Sequence, residues 1–268
     1  MSGFGMSEII VIVGLVLIFF GSKEVPRFVR ELARIFARIR NYSEQVRREM
    51  DEMVRSTGQP TSGAIQSTHN AEQKKQIRSR FLAERKALGK DACEEKSRSI
   101  AEHLAQTPEY EKARGVLLYV ATPTEVQTQE LIQRMLDAGK RIAVPYCTGF
   151  GSELGIAEVR DFATELTIGR HGVLEPREDI RDNFFKSDLQ LAIVPGVAFD
   201  LYGGRLGRGK GCYDTFLKDL KGRIPIFGLA YQCQILSEAL PFDYHDVAVD
   251  QVITETGLLF TSEEDDAE

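Results

Sequence analysis

Twelve residues, Gly203 to Asp214, read GGRLGRGKGCYD and gather five glycines and three cations, Arg205, Arg208 and Lys210. Glycine loses more backbone freedom on folding than any other residue, so such a density serves sharp turns or close approach of backbone to a ligand. The interspersed cations make that ligand an anion. Backbone N–H groups of a glycine nest, and those of a helix starting near Cys212, attract phosphate oxygens. Two familiar phosphate loops are excluded. Gly204 to Lys210 matches the first seven positions of a triphosphate P-loop, but Gly211 stands where Ser or Thr would hold magnesium, and "PGVAFDLY" separates the loop from its strand. Gly207, Gly209 and Gly211 have the wrong spacing for a dinucleotide fingerprint.

The elements that must position this loop alternate in type. "AEQKKQIRSRFLAERKAL" (71–88) predicts a charged helix, and "DACEEKSRSIAEHLAQ" (91–106) a second that starts at a capping Asp91. Short apolar runs at 115–121, 141–145, 189–195, 225–230 and 247–254 predict strands, and "TQELIQRMLDAG" (128–139) a helix between the first two. Strands separated by helices imply an α/β fold, a mainly parallel sheet with flanking helices. Ligands of such sheets sit beyond the carboxyl ends of the strands, where the glycine loop follows one of them.

The first 54 residues belong to a different environment. Residues 1–55 carry nine Lys or Arg against seven Asp or Glu, net +2, so with the whole chain at −6 the remainder carries −8. An acidic main part argues against general nucleic-acid binding, which needs a basic face. Cys93, Cys147, Cys212 and Cys233 form no CxxC pair and no ligand pattern with the four histidines, which fits a reducing cytosolic compartment. Ile9 to Phe20 is an unbroken apolar run of twelve, short of the ~20 residues of an ordinary spanning helix. Beyond "FGSKEVP", Phe28, Val29, Leu32, Ile35, Phe36, Ile39 and Tyr42 share one helical face and the arginines lie largely around the other. A short single-pass membrane helix followed by an amphipathic interfacial helix is expected, with the rest of the chain on the cytoplasmic side. Residues 55–70 read as a flexible linker, 71–260 as one domain, and 261–268 as an acidic disordered tail.

Two resemblances sharpen these readings. Residues 3–54 resemble the twin-arginine translocase A/B family, through Glu8 ahead of a short apolar helix, the hinge Phe20, Gly21 and Pro26, and the Arg-rich helix. That resemblance implies membrane lipid and other translocase subunits as partners at the cytoplasmic membrane. The run "VPGVAFDLYGGRLGRGKGCYDTFL" resembles the signature of the 5-formyltetrahydrofolate cyclo-ligase family, also called methenyltetrahydrofolate synthetases. "KKQIR", "EVQT", "HGVLEP" and "HDVAVDQVIT" follow in family order, so the match spans 71–255.

This second resemblance implies ATP and Mg2+, and conversion of 5-formyltetrahydrofolate to 5,10-methenyltetrahydrofolate with release of ADP and phosphate. It implies Lys210, Arg208 and Asp214 as catalytic. Lys74, Arg78, Arg205, Leu206, Gly207, Arg208, Gly209, Lys210, Gly211, Cys212 and Tyr213 would meet ATP. Val120, Glu125 and Arg208 to Cys212 would border the folate, with Glu125 accepting from the pterin's amino groups. Asp214 and Asp250 would hold the metal. Read alone, Glu125 equally suits the start of a helix, and Lys74 and Arg78 a solvated helix face. Cys212 departs from the family, which has tyrosine there. An enzyme tethered to the membrane and a translocase subunit that only binds nucleotide both remain open at this point.

Overall fold

The computed structural model describes residues 62–148, 153–169, 172–181 and 183–259. The expected membrane helix, amphipathic helix and acidic tail lie outside the described residues. Among those described, no helix is long and apolar enough to cross a membrane. The fold described is that of the part of the chain from Ser62 onward.

Helix α1 (Ser62–Ala87) starts inside the stretch expected to be a linker. Pro60 is the last helix-breaking residue before it, and nothing between Ser62 and Asn70 forbids continuation of the helix. Helix α2 (Lys90–Ala105) has Gly89 as its N-cap, two residues ahead of the expected Asp91, which sits in the first turn instead. A short α3 (Pro108–Lys112) is capped by the Thr107 side chain.

A seven-stranded sheet forms the centre. Its parallel part runs, in spatial order, β11 (Gln251–Thr254), β9 (Ile226–Leu229), β6 (Leu191–Pro195), β1 (Gly115–Leu118) and β2 (Arg141–Cys147). Antiparallel β12 (Gly257–Leu258) and β3 (Leu154–Val159) close the two edges. The mixed α/β class and the mostly parallel sheet match the expectation, with each expected strand recovered as a shorter core or a slight extension. The antiparallel edges were not expected. Nor were the hairpin of β4 (Leu166–Ile168) and β5 (Leu174–Pro176) and the small sheet of β10 (Ile235–Leu236), β7 (Ala198–Asp200) and β8 (Arg205–Leu206).

Both faces of the large sheet are covered, which is why β1 reads as an uninterrupted apolar run. Val116 and Leu118 pack with Ile100 and Leu104 of α2 and with Leu131 and Met135 of α4 (Gln129–Asp137). Leu117 points the other way, among Phe216 and Leu217 of α5 (Cys212–Leu217) and Val252. A third cluster bears directly on the site: Phe81 and Ile77 of α1 pack on Val197, Ala198, Leu206 and Leu240. Phe81 is 1 % exposed, and truncating such a side chain costs about 3–5 kcal/mol. That contact fixes α1 against the small sheet, and with it Lys74, Arg78 and Arg85 at helical spacing on the same side.

Candidate active site

Strand β1 pairs with β2 on one side and β6 on the other, so the chain reverses its direction of travel across the sheet between β1 and β6. Open α/β sheets bind ligands at this switch point, outside the carboxyl ends of the strands. Two loops meet there, the one after β1 and the glycine loop that follows β6 and β7.

The loop after β1 is held by side chains on its own backbone. Thr128 donates to the Tyr119 carbonyl at 2.8 Å and accepts from the Ala121 N–H at 3.1 Å, while Tyr119 donates to the Val126 carbonyl at 3.0 Å. Tyr231 donates to the Glu125 carbonyl at 2.9 Å. Burial raises both phenols above their ordinary values, so they act as neutral donors. Glu125 ends up in a turn ahead of α4 rather than in it: its Oε2 accepts from the Thr122 N–H at 2.9 Å and its own N–H donates to the Thr122 carbonyl at 3.0 Å. Val120, in the same loop, is buried in the apolar core.

The glycine loop is anchored at both ends. Asp200, fully buried, accepts from the N–H groups of Tyr202 at 2.8 Å, Gly204 at 2.7 Å and Leu240 at 2.8 Å. A side chain at Gly204 would collide with that carboxylate. At the other end Arg205 turns inward, with Nη2 2.7 Å from Asp214 Oδ1, and Leu206 packs against Phe81. Between the anchors Arg208, Gly209 and Lys210 are exposed. Gly209 and Gly211 take φ of 96° and 68°, a region that favours glycine. Tyr213 follows, its phenol pushed up by burial.

The two loops are joined by one ion pair. Arg208 Nη2 lies 2.8 Å from Glu125 Oε1 and 3.0 Å from Thr122 Oγ1. Arg78 reaches the same loop from α1, its Nε donating to the Gly207 carbonyl at 2.8 Å.

Three expected site residues lie elsewhere. Lys74 is buried and pairs with Asp243 at 2.6 Å and with Asp246, rather than with the glycine loop. Arg205, 1 % exposed at its side chain, serves Asp214 rather than the loop surface. Asp250 does not join Asp214. Its carboxylate pairs with Lys221 and accepts from the Ile226 N–H at 2.8 Å, at the amino end of β9. The Arg205 partner of Asp214 instead extends Nη1 to the Pro195 carbonyl, 3.4 Å away at the carboxyl end of β6. Among the described residues no three His, Cys, Asp or Glu gather as a metal cluster.

Arg85, absent from the expected set, is 2 % exposed and donates to the Gly196 carbonyl at 3.3 Å, while its Nε has no partner. Burial lowers its pKa, opposed by the charge of Glu125. Its signal in the sequence is helical spacing from Lys74, Arg78 and Phe81.

Residues 70–255 match the family model described as the 5-formyltetrahydrofolate cyclo-ligase family, more than half of the chain. The chain belongs to this family. Residues 1–49 match the mttA/Hcf106 family, in agreement with the translocase-like segment expected from Glu8 and the hinge. Among the cyclo-ligase relatives, the probable 5-formyltetrahydrofolate cyclo-ligase of Schizosaccharomyces pombe is 31 % identical over 193 residues, covering 68 % of this chain and 94 % of its own. The Escherichia coli K12 cyclo-ligase is 32 % identical over 171 residues, covering 63 % and 93 %. The solved structure of Aquifex aeolicus 5,10-methenyltetrahydrofolate synthetase is similar at a TM-score of 0.62 and 32 % identity, over 73 % of this chain and 96 % of its own. The cyclo-ligase relatives are nearly spanned end to end, so this cyclo-ligase family member carries its N-terminal segment as an addition to the shared domain.

Proposed function

We propose that the protein converts 5-formyltetrahydrofolate to 5,10-methenyltetrahydrofolate at the expense of ATP, on a domain tethered to the cytoplasmic membrane by its N-terminal segment. The observation that carries the reading is the Arg208–Glu125 bridge, which brings a phosphate-type loop and a fixed carboxylate to one switch point. A formamide oxygen is a poor leaving group. ATP would phosphorylate it and release ADP; N10 would then attack the formyl carbon, lose its proton, and expel phosphate as the ring closes.

The chain fits the phosphates of ATP: Gly209 exposed and Gly211 half-buried, both with positive φ, Lys210 and Arg208 beside them, and Arg78 against Gly207. These groups would neutralise charge on the phosphoryl oxygens, the main form of catalysis open to such a transfer. Glu125, its Oε2 already satisfied, would accept the pterin's donors at Oε1. Mg2+ fits through Asp214, whose contacts both fall on Oδ1, with the remaining ligands from phosphate and water as magnesium prefers. Asp214 would hold the ion, which would supply positive charge for the phosphoryl group. Asp250, with its oxygens on Lys221 and Ile226, does not fit as a second ligand in this geometry.

The test is methenyl formation followed by absorbance with the full chain, requiring ATP and Mg2+ together. Nucleotide binding without product would leave only a nucleotide-binding domain.

A further inference from the structure

Arg208 and a pterin ring compete for one oxygen. Glu125 Oε2 is taken by the Thr122 N–H at 2.9 Å, and Oε1 accepts from Arg208 at 2.8 Å. A guanidinium offers planar N–H donors on an N–C–N unit. The 2-amino group and N3–H of a pterin offer the same pattern, so the occupant of Oε1 in this structure resembles the edge of the ligand expected there.

The two partners of that ion pair differ in freedom. Glu125 is 10 % exposed at its side chain, and its carbonyl is held by Tyr231 at 2.9 Å and by Gln127 at 2.6 Å. Arg208 is 57 % exposed and flanked by Gly207 and Gly209. An exposed arginine between two glycines swings away at little cost, so a stronger anion can draw it from the fixed carboxylate. The phosphates proposed for the glycine loop are that anion, arriving beside the same residue.

We infer that Arg208 closes the pterin subsite until nucleotide binds, and that phosphate then draws it from Glu125 and frees Oε1 for the folate. Nucleotide therefore tightens folate binding, although the two ligands share no atom. Buried Arg85 is a second cation that interacts with Glu125, so the carboxylate still faces a positive charge after Arg208 leaves. This inference rests on the proposed cyclo-ligase reading.

The experiment is calorimetric titration of the full chain, in mild detergent, with 5-formyltetrahydrofolate, with and without a non-hydrolysable ATP analogue and Mg2+. The analogue should tighten folate binding by roughly 5–150-fold, and folate should tighten the analogue by the same factor. Arg208→Ala should bind folate more tightly than wild type when nucleotide is absent and lose most of the coupling. A residue that merely contacts folate predicts the opposite sign. Equal folate affinity with and without the analogue in wild type overturns the inference, as does weaker nucleotide-free folate binding in Arg208→Ala. A wild-type chain that binds no folate under any condition fails the cyclo-ligase reading itself, and is thereby told apart from folate binding that ignores nucleotide.

Discussion

Asp214 Oδ1 lies 2.7 Å from Arg205 Nη2, and the same oxygen accepts from the Val247 N–H at 3.1 Å. One atom thus ties the glycine loop and α5 to the segment leading into β11. The Arg205 side chain is 1 % exposed and its Nε has no partner, so Asp214 is the carboxylate that balances a buried guanidinium.

Asp214→Asn keeps an oxygen for both donors but removes the charge. It should lower turnover by about two orders of magnitude or more, the scale of lost metal-assisted charge stabilisation. Asp214→Ala should in addition destabilise the fold by ~3–5 kcal/mol, because it strands a buried guanidinium. Urea unfolding beside steady-state rates separates the two effects. Equal rates for Asp214→Asn and wild type would remove the metal role.

Glu125→Gln should raise the KM for folate and leave that for ATP nearly unchanged. A hydrogen bond to a charged group contributes about 1.5–3 kcal/mol, roughly 10–150-fold. Stability should fall as well, since the substitution removes the buried charge that Arg208 and Arg85 both face. A large rise in the KM for ATP instead would mean that Glu125 orders the phosphate loop.

Cys212 is half-buried, and its thiol makes only a long 3.9 Å contact with the Lys210 carbonyl. Cys212→Tyr should strengthen folate binding by about 0.5–1.5 kcal/mol, the contribution of an aromatic contact beyond its area. Unchanged or weaker affinity would show a pocket built around cysteine.

The Lys74–Asp243 pair predicts a loss of stability in acid. Burial would raise the Asp243 carboxyl, but hydrogen bonds from Lys74 and Asn70 hold it below its ordinary value. The folded state thus binds this proton less readily than the unfolded chain. The contribution is present above the unfolded value of about 3.9 and is lost as pH falls through it toward the lower folded value. Urea midpoints between about pH 3 and pH 6 should fall less steeply for Asp243→Asn than for wild type.

The N-terminal segment predicts membrane retention. Twelve apolar residues make ~18 Å of helix against a ~30 Å hydrocarbon core, so spanning needs extension by flanking residues or local thinning. Full-length protein should stay with membranes through a high-salt wash, and a chain starting at residue 60 should not. Leu15→Arg should release it, given a cost of about 2.5–3.5 kcal/mol for a charge at the helix centre. Release of the unaltered protein by salt would mean a peripheral segment.

The sequence by itself determined what is local. Apolar runs marked β1, β2, β6, β9 and β11 because strands covered on both faces must be apolar throughout, and the glycine density of 203–211 marked a loop with positive φ. The run "VPGVAFDLYGGRLGRGKGCYDTFL" and the four motifs in family order carried the resemblance to the family. Only the tertiary structure decided what depends on distant partners. Strand order placed the switch point between β1 and β6, and so brought Arg208 to Glu125, 83 residues away in the chain. The same packing turned Arg205 inward to Asp214 and left Asp250 at the amino end of β9. It also gave Asp200 its role, which no local pattern announces, and Arg85 a partner that its helical spacing alone does not name. The physical reason is that a charged side chain chooses its partner by proximity in the folded state, and proximity across a sheet follows from strand order, which propensity and periodicity do not encode.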